Sequence, residues 1–302
     1  MTATVLTGTC SWTDPTLVAC GRFYPRATMS PAERLRFYAS QFPLVEVDST
    51  YYAPPSERNA QLWAERTPDG FVFDVKVFAL LTGHGARADR LPPEIRRCLR
   101  DPARATATRP VYLKDLTAEG VELVWESHRS GLEPLRSAAK LGALLFQFAP
   151  WFTASRDNRA HLSELAQRLP SQALAVEFRG GGWMEADTAG RTLALLERLG
   201  LAYVSVDEPQ GFANSTPPLA AATADLAYVR LHGRNAGTWQ TRTAAASDRF
   251  NYLYEESELA EWVPRIRALA ERAGTVHVLF NNNYEDVGIR NARQMALLLR
   301  SE

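Results

Sequence analysis

Lysine is almost missing from this chain of 302 residues: it occurs only at Lys76, Lys114 and Lys140, which leaves 31 arginines to carry the positive charge. Basic and acidic residues are equal at 34 each, so no net charge draws the protein to nucleic acid or to a membrane surface. The three cysteines, Cys10, Cys20 and Cys98, are odd in number, widely spaced and without a CxxC pair. That argues against a disulfide framework and a structural zinc site, and makes the cytoplasm the expected location. No window approaches the ~18 consecutive apolar residues of a membrane helix. The first residues, MTATVLTGTCSW, lack the basic start and apolar run of an export signal. No GxGxxG follows the first apolar run and no Walker lysine loop occurs, which removes the two common nucleotide-binding α/β classes.

What is there is a regular alternation. Short apolar runs at 5–9, 44–48, 71–77, 143–148, 174–178, 202–206, 226–231 and 276–280 read as strands, and most are separated by helical patterns. Ser30-Pro31-Ala32-Glu33 opens one helix with a serine cap, proline at the first helical position and glutamate at the third. Ser56–Thr67 repeats that logic, and Gly200 closes the helix over 188–199. The strands are short and apolar, as parallel strands covered on both faces must be. Eight of them with intervening helices predict a single (β/α)8 TIM barrel over residues 1–302. Residues 79–120 form a long irregular insertion after strand 3, of the kind that serves as a lid or binding loop or is disordered.

Several segments taken together resemble one family. They are GTCSW at 8–12, FYP at 23–25, VEVDSTYY at 45–52, WAERTPDGFVFDVK at 63–76, LLFQFAPWF at 144–152, AVEFR at 175–179, VRLHGR at 229–234 and FNNNYEDVGIRNA at 280–292. In this order they are similar to the DUF72, or YecE-like, family over essentially the whole chain. The resemblance implies a TIM barrel related to the endonuclease IV and xylose isomerase barrels, which use divalent metals. Many relatives carry Ser where this chain has Cys10 and Asn where it has Asp48. A thiol or a second carboxylate at these places is therefore not a family-wide feature.

A TIM barrel works at the carboxyl ends of its strands, so the strand-end polar residues can be collected as candidates. Glu46, Glu177 and His232 are the candidate catalytic groups. Trp12, Tyr51, Lys76, Gln147, Arg179, Arg230, Arg234, Asn281, Asn282, Asn283 and Tyr284 are the candidate substrate contacts. Charge inside a barrel must be paired, which suggests Glu177 with Arg179 or Arg230 and Glu46 with Lys76. The favoured reading is a hydrolase or phosphodiesterase for a phosphorylated or otherwise anionic substrate, with Arg234 and the Asn281–Asn283 run as anion binders after strands 7 and 8. A single Mg²⁺ or Mn²⁺ on Glu46, Asp48, Glu177 or Asp207 would fit this, whereas only His232 among five histidines lies at a strand end, too few for a zinc cluster. A second reading is metal-free acid–base chemistry on a sugar or nucleoside, with Glu46 and Glu177 as the carboxylates and Trp12, Tyr51 and Trp183 as stacking surfaces. A third is a non-catalytic protein binding nucleic acid or another ligand through the arginines at 87, 90, 96, 97 and 100. Asp286 is the expected cap of the last helix.

Overall fold

The computed structural model describes residues 3–106, 108–241 and 246–301. Eight parallel strands close into a barrel in sequence order: β1 (Thr4–Thr9), β2 (Leu44–Val47), β3 (Val72–Lys76), β4 (Leu141–Gln147), β5 (Ala173–Glu177), β6 (Ala202–Asp207), β7 (Leu226–Leu231) and β8 (Thr275–Phe280). Closure is made by β8 pairing with β1 along its whole length, from Thr4 opposite Thr275 to Thr9 opposite Phe280. On the other side of β1, Gly8 lies opposite Leu44 of β2, and any side chain at Gly8 would overlap the Leu44 carbonyl. A glycine is what allows those two backbones to approach.

The helices are α1 (Pro15–Cys20), α2 (Pro31–Gln41), α3 (Glu57–Glu65), α4 (Pro93–Arg97), α5 (Ala118–Gly131), α6 (Glu133–Ser137), α7 (Arg156–Arg168), α8 (Ala189–Leu199), α9 (Glu256–Ala260), α10 (Val263–Ala270) and α11 (Val287–Arg300). The α2 capping box is present as the sequence predicts, with the Ser30 and Glu33 side chains each accepting from the other's backbone N–H. Gly200 ends α8 in the left-handed conformation at φ 65°. Asp286 stands at the start of α11 but makes no side-chain cap; its carboxylate is taken by Arg22. The segment before β8 is two helices, α9 and α10, because Pro264, in the first turn of α10, breaks the run. A helical turn runs from Ala246 to Phe250, and residues 242–245 lie outside the described residues.

Alternation along the strands divides the apolar side chains into two bodies. Leu44, Ala143, Leu145, Ala175, Val204, Val206 and Leu279 fill the barrel interior, and Val45, Val47, Phe73, Phe146, Val229, Leu231 and Phe280 face the helices. The described residues of the 79–120 insertion carry short helical turns and the helix α4. The insertion is tied down by antiparallel bridges from Ala86 to Val111 and from Leu99 to Leu116, over buried Leu91, Ile95 and Val111. Among the described residues no helix is long and apolar enough to cross a membrane.

Candidate functional site

The interior is apolar at its lower and middle levels and polar at its carboxyl end, with one exception. Asp74 on β3 and His277 on β8 meet low in the barrel at 2.9 Å, and Asp74 also accepts the Ala143 backbone N–H at 2.7 Å. The Asp74 carboxylate is thus satisfied although it is fully buried.

Above them runs a chain of buried ion pairs. Arg230 on β7 donates to Glu46 of β2 at 2.5 Å and to Glu177 of β5 at 2.6 Å. Arg179, just past β5, holds the other oxygen of Glu177 at 2.8 Å and reaches Glu208, just past β6, at 2.6 Å. The remaining lone pairs are filled by neutral groups. Tyr228 donates to Glu46, Gln147 donates to Glu177, and the Thr216 backbone N–H donates to Glu208. His232 lies 3.3 Å from Glu177 through Nε2, with the Asn281 amide nitrogen 2.8 Å from Nδ1. Arg179 Nη2 lies 3.3 Å from the same Nε2, so that nitrogen stands between a carboxylate and a guanidinium donor.

Burial and partners decide which of these groups ionise. Glu177 is wholly buried, yet Arg179, Arg230 and His232 outweigh that burial and hold its carboxyl well below the ordinary range. Glu46 and Glu208 have fewer cationic partners, and burial pushes each up to about 7. His232 is pushed down to about 3 by burial and by Arg179, so it is a neutral imidazole at physiological pH.

Over this network opens a cavity of about 370 Å³, walled by Ser11, Asp48, Lys76, Gln147, Arg179, Asn281, Asn283 and Phe250 among others. Lys76 does not pair with Glu46 as the sequence suggests. Its Nζ lies 3.6 Å from Asp48 and 4.7 Å from the centre of the Tyr51 ring. The two side chains of this pair are 15% and 26% exposed, against 1% or less for Arg230, Glu46 and Glu177. Asp48 Oδ1 has no hydrogen-bond partner, and neither does Asn283 Oδ1. His84, from the insertion, stands edge-on to Tyr51 and to the exposed ring of Trp151, and is pushed down to about 4 by burial and by Lys76. A side chamber of about 240 Å³ shares Ser11, Asp48 and Ser49 with the main cavity and is lined by Trp12, Glu46 and Arg66.

Several expected site residues stand elsewhere. Arg234 is not in the mouth. It lies outside the barrel against Asp207, Glu258 and Glu261, and Asp207 also accepts from Tyr254 and Trp262. Asp207 is therefore saturated in the outer layer and cannot serve as an ion ligand at the mouth. Asn282 is fully buried and bonds the Tyr252 carbonyl and Asn291, so of the asparagine run only Asn281 and Asn283 line the cavity. Tyr284 is half-buried in the turn before α11 and lines none of this cavity. Trp183 is no stacking surface: it is fully buried between Phe152 and Phe178, below a glycine run whose φ values of 76°, 72° and 77° at Gly180, Gly181 and Gly182 exclude ordinary residues. Trp12 is buried on Trp63 and Phe73 and reaches only the side chamber.

Glu208 was missed, although it follows Val204 and Val206 at the interval of two that marks one strand face. The four acids considered for Mg²⁺ or Mn²⁺ do not converge into a cage. Glu46 and Glu177 carry guanidinium hydrogens, Asp207 points outward, and among the described residues no group of three or more His, Cys, Asp or Glu side chains is placed to hold a metal.

A closed barrel of eight parallel strands with its polar side chains gathered at their carboxyl ends is a TIM barrel. The chain belongs to the family described as protein of unknown function DUF72, whose model matches residues 6–302. It is 30% identical over 283 residues to the UPF0759 protein YunF of Bacillus subtilis strain 168, covering 92% of this chain and 90% of that one. Among solved structures, a DUF72 family protein from Thermotoga maritima MSB8 is similar at 28% identity with a TM-score of 0.76, covering 99% of this chain and 100% of that one. A DUF72 family protein from Enterococcus faecalis V583 shares the fold at 24% identity and a TM-score of 0.77, covering 99% of this chain and 96% of that one.

Proposed function

We propose that the protein is a hydrolase for a small, hydroxyl-bearing anionic substrate, with Lys76 holding the anionic group and Asp48 polarising the attacking water. One observation carries this reading: the Lys76–Asp48 pair stands 3.6 Å apart on the cavity wall, and Asp48 Oδ1 has no hydrogen-bond partner. Arg179, the other cation on that wall, already donates to Glu177 and Glu208. Lys76 is thus the group that a phosphate or carboxylate can recruit without breaking a short ion pair. Asp48 Oδ1, the oxygen that faces the Lys76 ammonium, carries no hydrogen bond, so the carboxylate keeps the acceptor capacity that a general base needs before its pKa matters.

The cavity suits a substrate of sugar size. Its volume, about 370 Å³, is at the lower end of ordinary ligand pockets. Ser11, Ser49, Gln147, Asn281 and Asn283 offer donors and acceptors together, which match hydroxyl groups. Glu46 and Glu177, the carboxylates first considered as catalysts, act here as counter-ions that fix Arg230 and Arg179.

The test is a thermal-shift panel of sugar phosphates, sugar acids and neutral sugars on the wild type, Lys76→Ala and Asp48→Asn. Anions should stabilise the wild type and Asp48→Asn but not Lys76→Ala, and turnover of the best ligand should fall about 100-fold or more in Asp48→Asn. Equal shifts in Lys76→Ala, or neutral sugars stabilising as well as anions do, would overturn the assignment.

A further inference from the structure

The mouth does not end at Tyr52. Ser49 and Tyr52, which wall the cavity over Lys76, are also walls of a second cavity of about 490 Å³ whose far side carries Arg87 and Arg90. That far side is built, not draped. The Ala86–Val111 bridge closes with 2.8 Å bonds in both directions, buried Ala88 and Leu91 anchor the next turn, and Gly85 lies so close to Pro110 that a side chain there would collide.

Of the two cations on it one is uncommitted and the other is held at the surface by a single carboxylate. Among the described residues Arg90 has no side-chain hydrogen bond or ion pair and is exposed. Arg87 holds only Asp89, in a pair whose side chains are 73% and 54% exposed. The pair is bidentate but solvated, so a dianion that offers Arg87 the same two-point contact competes with Asp89 for it. Arg100 and Arg104, by contrast, are spent on the Leu116 carbonyl and on Asp115. Between the two cavities the Tyr52 ring is 63% exposed and is braced edge-on by Tyr51, 5.2 Å away, which in turn lies beneath Lys76.

We infer that this groove is a second anion subsite, in which Arg87 and Arg90 take the phosphate of a phosphate monoester whose planar body rests on Tyr52. The inference deepens the reading of the mouth and rests on it for the Lys76 end: a substrate spanning both cavities carries two anionic groups, one at Lys76 and one at the arginines. Two guanidiniums favour the dianion of a monoester over a singly charged diester, and an exposed tyrosine face favours a flat group over a chain.

Phenyl phosphate is the probe, titrated calorimetrically at low salt into the wild type, Arg87→Ala/Arg90→Ala and Lys76→Ala. Both arginines are exposed, so the double variant should keep the wild-type melting temperature. Two equivalents should bind the wild type and one should bind each variant, the groove affinity falling about tenfold or more without the arginines. An unchanged isotherm in the arginine variant, or no binding to the wild type, overturns the subsite. Two equivalents on Lys76→Ala with loss only in the arginine variant leaves the groove standing and removes the mouth reading. Inorganic phosphate binding the groove as tightly as phenyl phosphate removes the role of Tyr52.

Discussion

Two clusters of charge sit within one barrel mouth and differ in kind. The chain from Glu46 through Arg230, Glu177 and Arg179 to Glu208 is buried except at Arg179, which reaches the cavity wall, and nearly every polar atom in it has a short partner. The Lys76–Asp48 corner is half open, long in its only ion pair and short of an acceptor's partner. The first holds strongly perturbed ionisations, yet of its buried side-chain atoms only Arg230 Nε lacks a partner. A perturbed pKa marks a place under electrostatic constraint, and an unmatched atom on a cavity wall marks a place able to bind.

Removing a cation from each cluster should separate them. Arg230→Ala leaves Glu46 and Glu177 buried without their shared guanidinium, and should cost about 3–5 kcal/mol in urea unfolding. Lys76→Ala should change stability by about 1 kcal/mol or less, since its pair is loose and partly exposed, while removing anion binding. If Lys76→Ala instead unfolds the protein as Arg230→Ala does, the distinction between the two clusters is lost.

The buried cluster also has a pH signature. Glu208 is raised from the ordinary glutamate value to about 7, so the folded protein keeps a proton there that the unfolded chain releases. The stability this provides is full below the ordinary glutamate pKa and is lost as pH rises through about 7. Glu177 and His232 have the opposite sign: both are depressed, so their contributions fade on acidification. Glu208→Gln removes only the first slope. Its melting temperature relative to wild type should therefore be higher near pH 8 than near pH 5. A difference that falls with pH would show Glu208 held ionised by Arg179.

The smallest effect should come from Asn283→Ala. Its Oδ1 has no partner in the folded chain, so stability should move by about 0.5 kcal/mol or less, with weaker binding of any ligand that Lys76 also requires. A large loss of stability would place Asn283 with the structural asparagine, Asn282.

The barrel itself was legible from residue pattern. Eight short apolar runs, the Ser30–Glu33 cap and the Gly200 stop are local signals, and local signals survive without knowing the neighbours. Membership of the mouth was legible where alternation was followed strictly: Glu46, Lys76, Gln147, Glu177, Arg179, Arg230, His232 and Asn281 all lie in phase. Asp207 was misplaced because nearness to a strand end was allowed to outweigh phase, and a one-residue error carries a side chain through the barrel wall. Arg234 keeps the parity of Arg230 and His232 but follows Gly233, whose φ of 88° comes after the end of β7, so strand alternation no longer applies to it. Glu208, in phase after Val206, is the residue that the same rule would have found.

What the sequence by itself determined is the set of side chains that face inward, because strand periodicity is a property of the backbone. Which of them neutralise one another and which remain for a ligand was decided only by the tertiary structure. Residues 46, 177 and 230 come together solely through closure of the barrel, and the allotment of two guanidiniums among three buried carboxylates follows from distances that no spacing along the chain encodes.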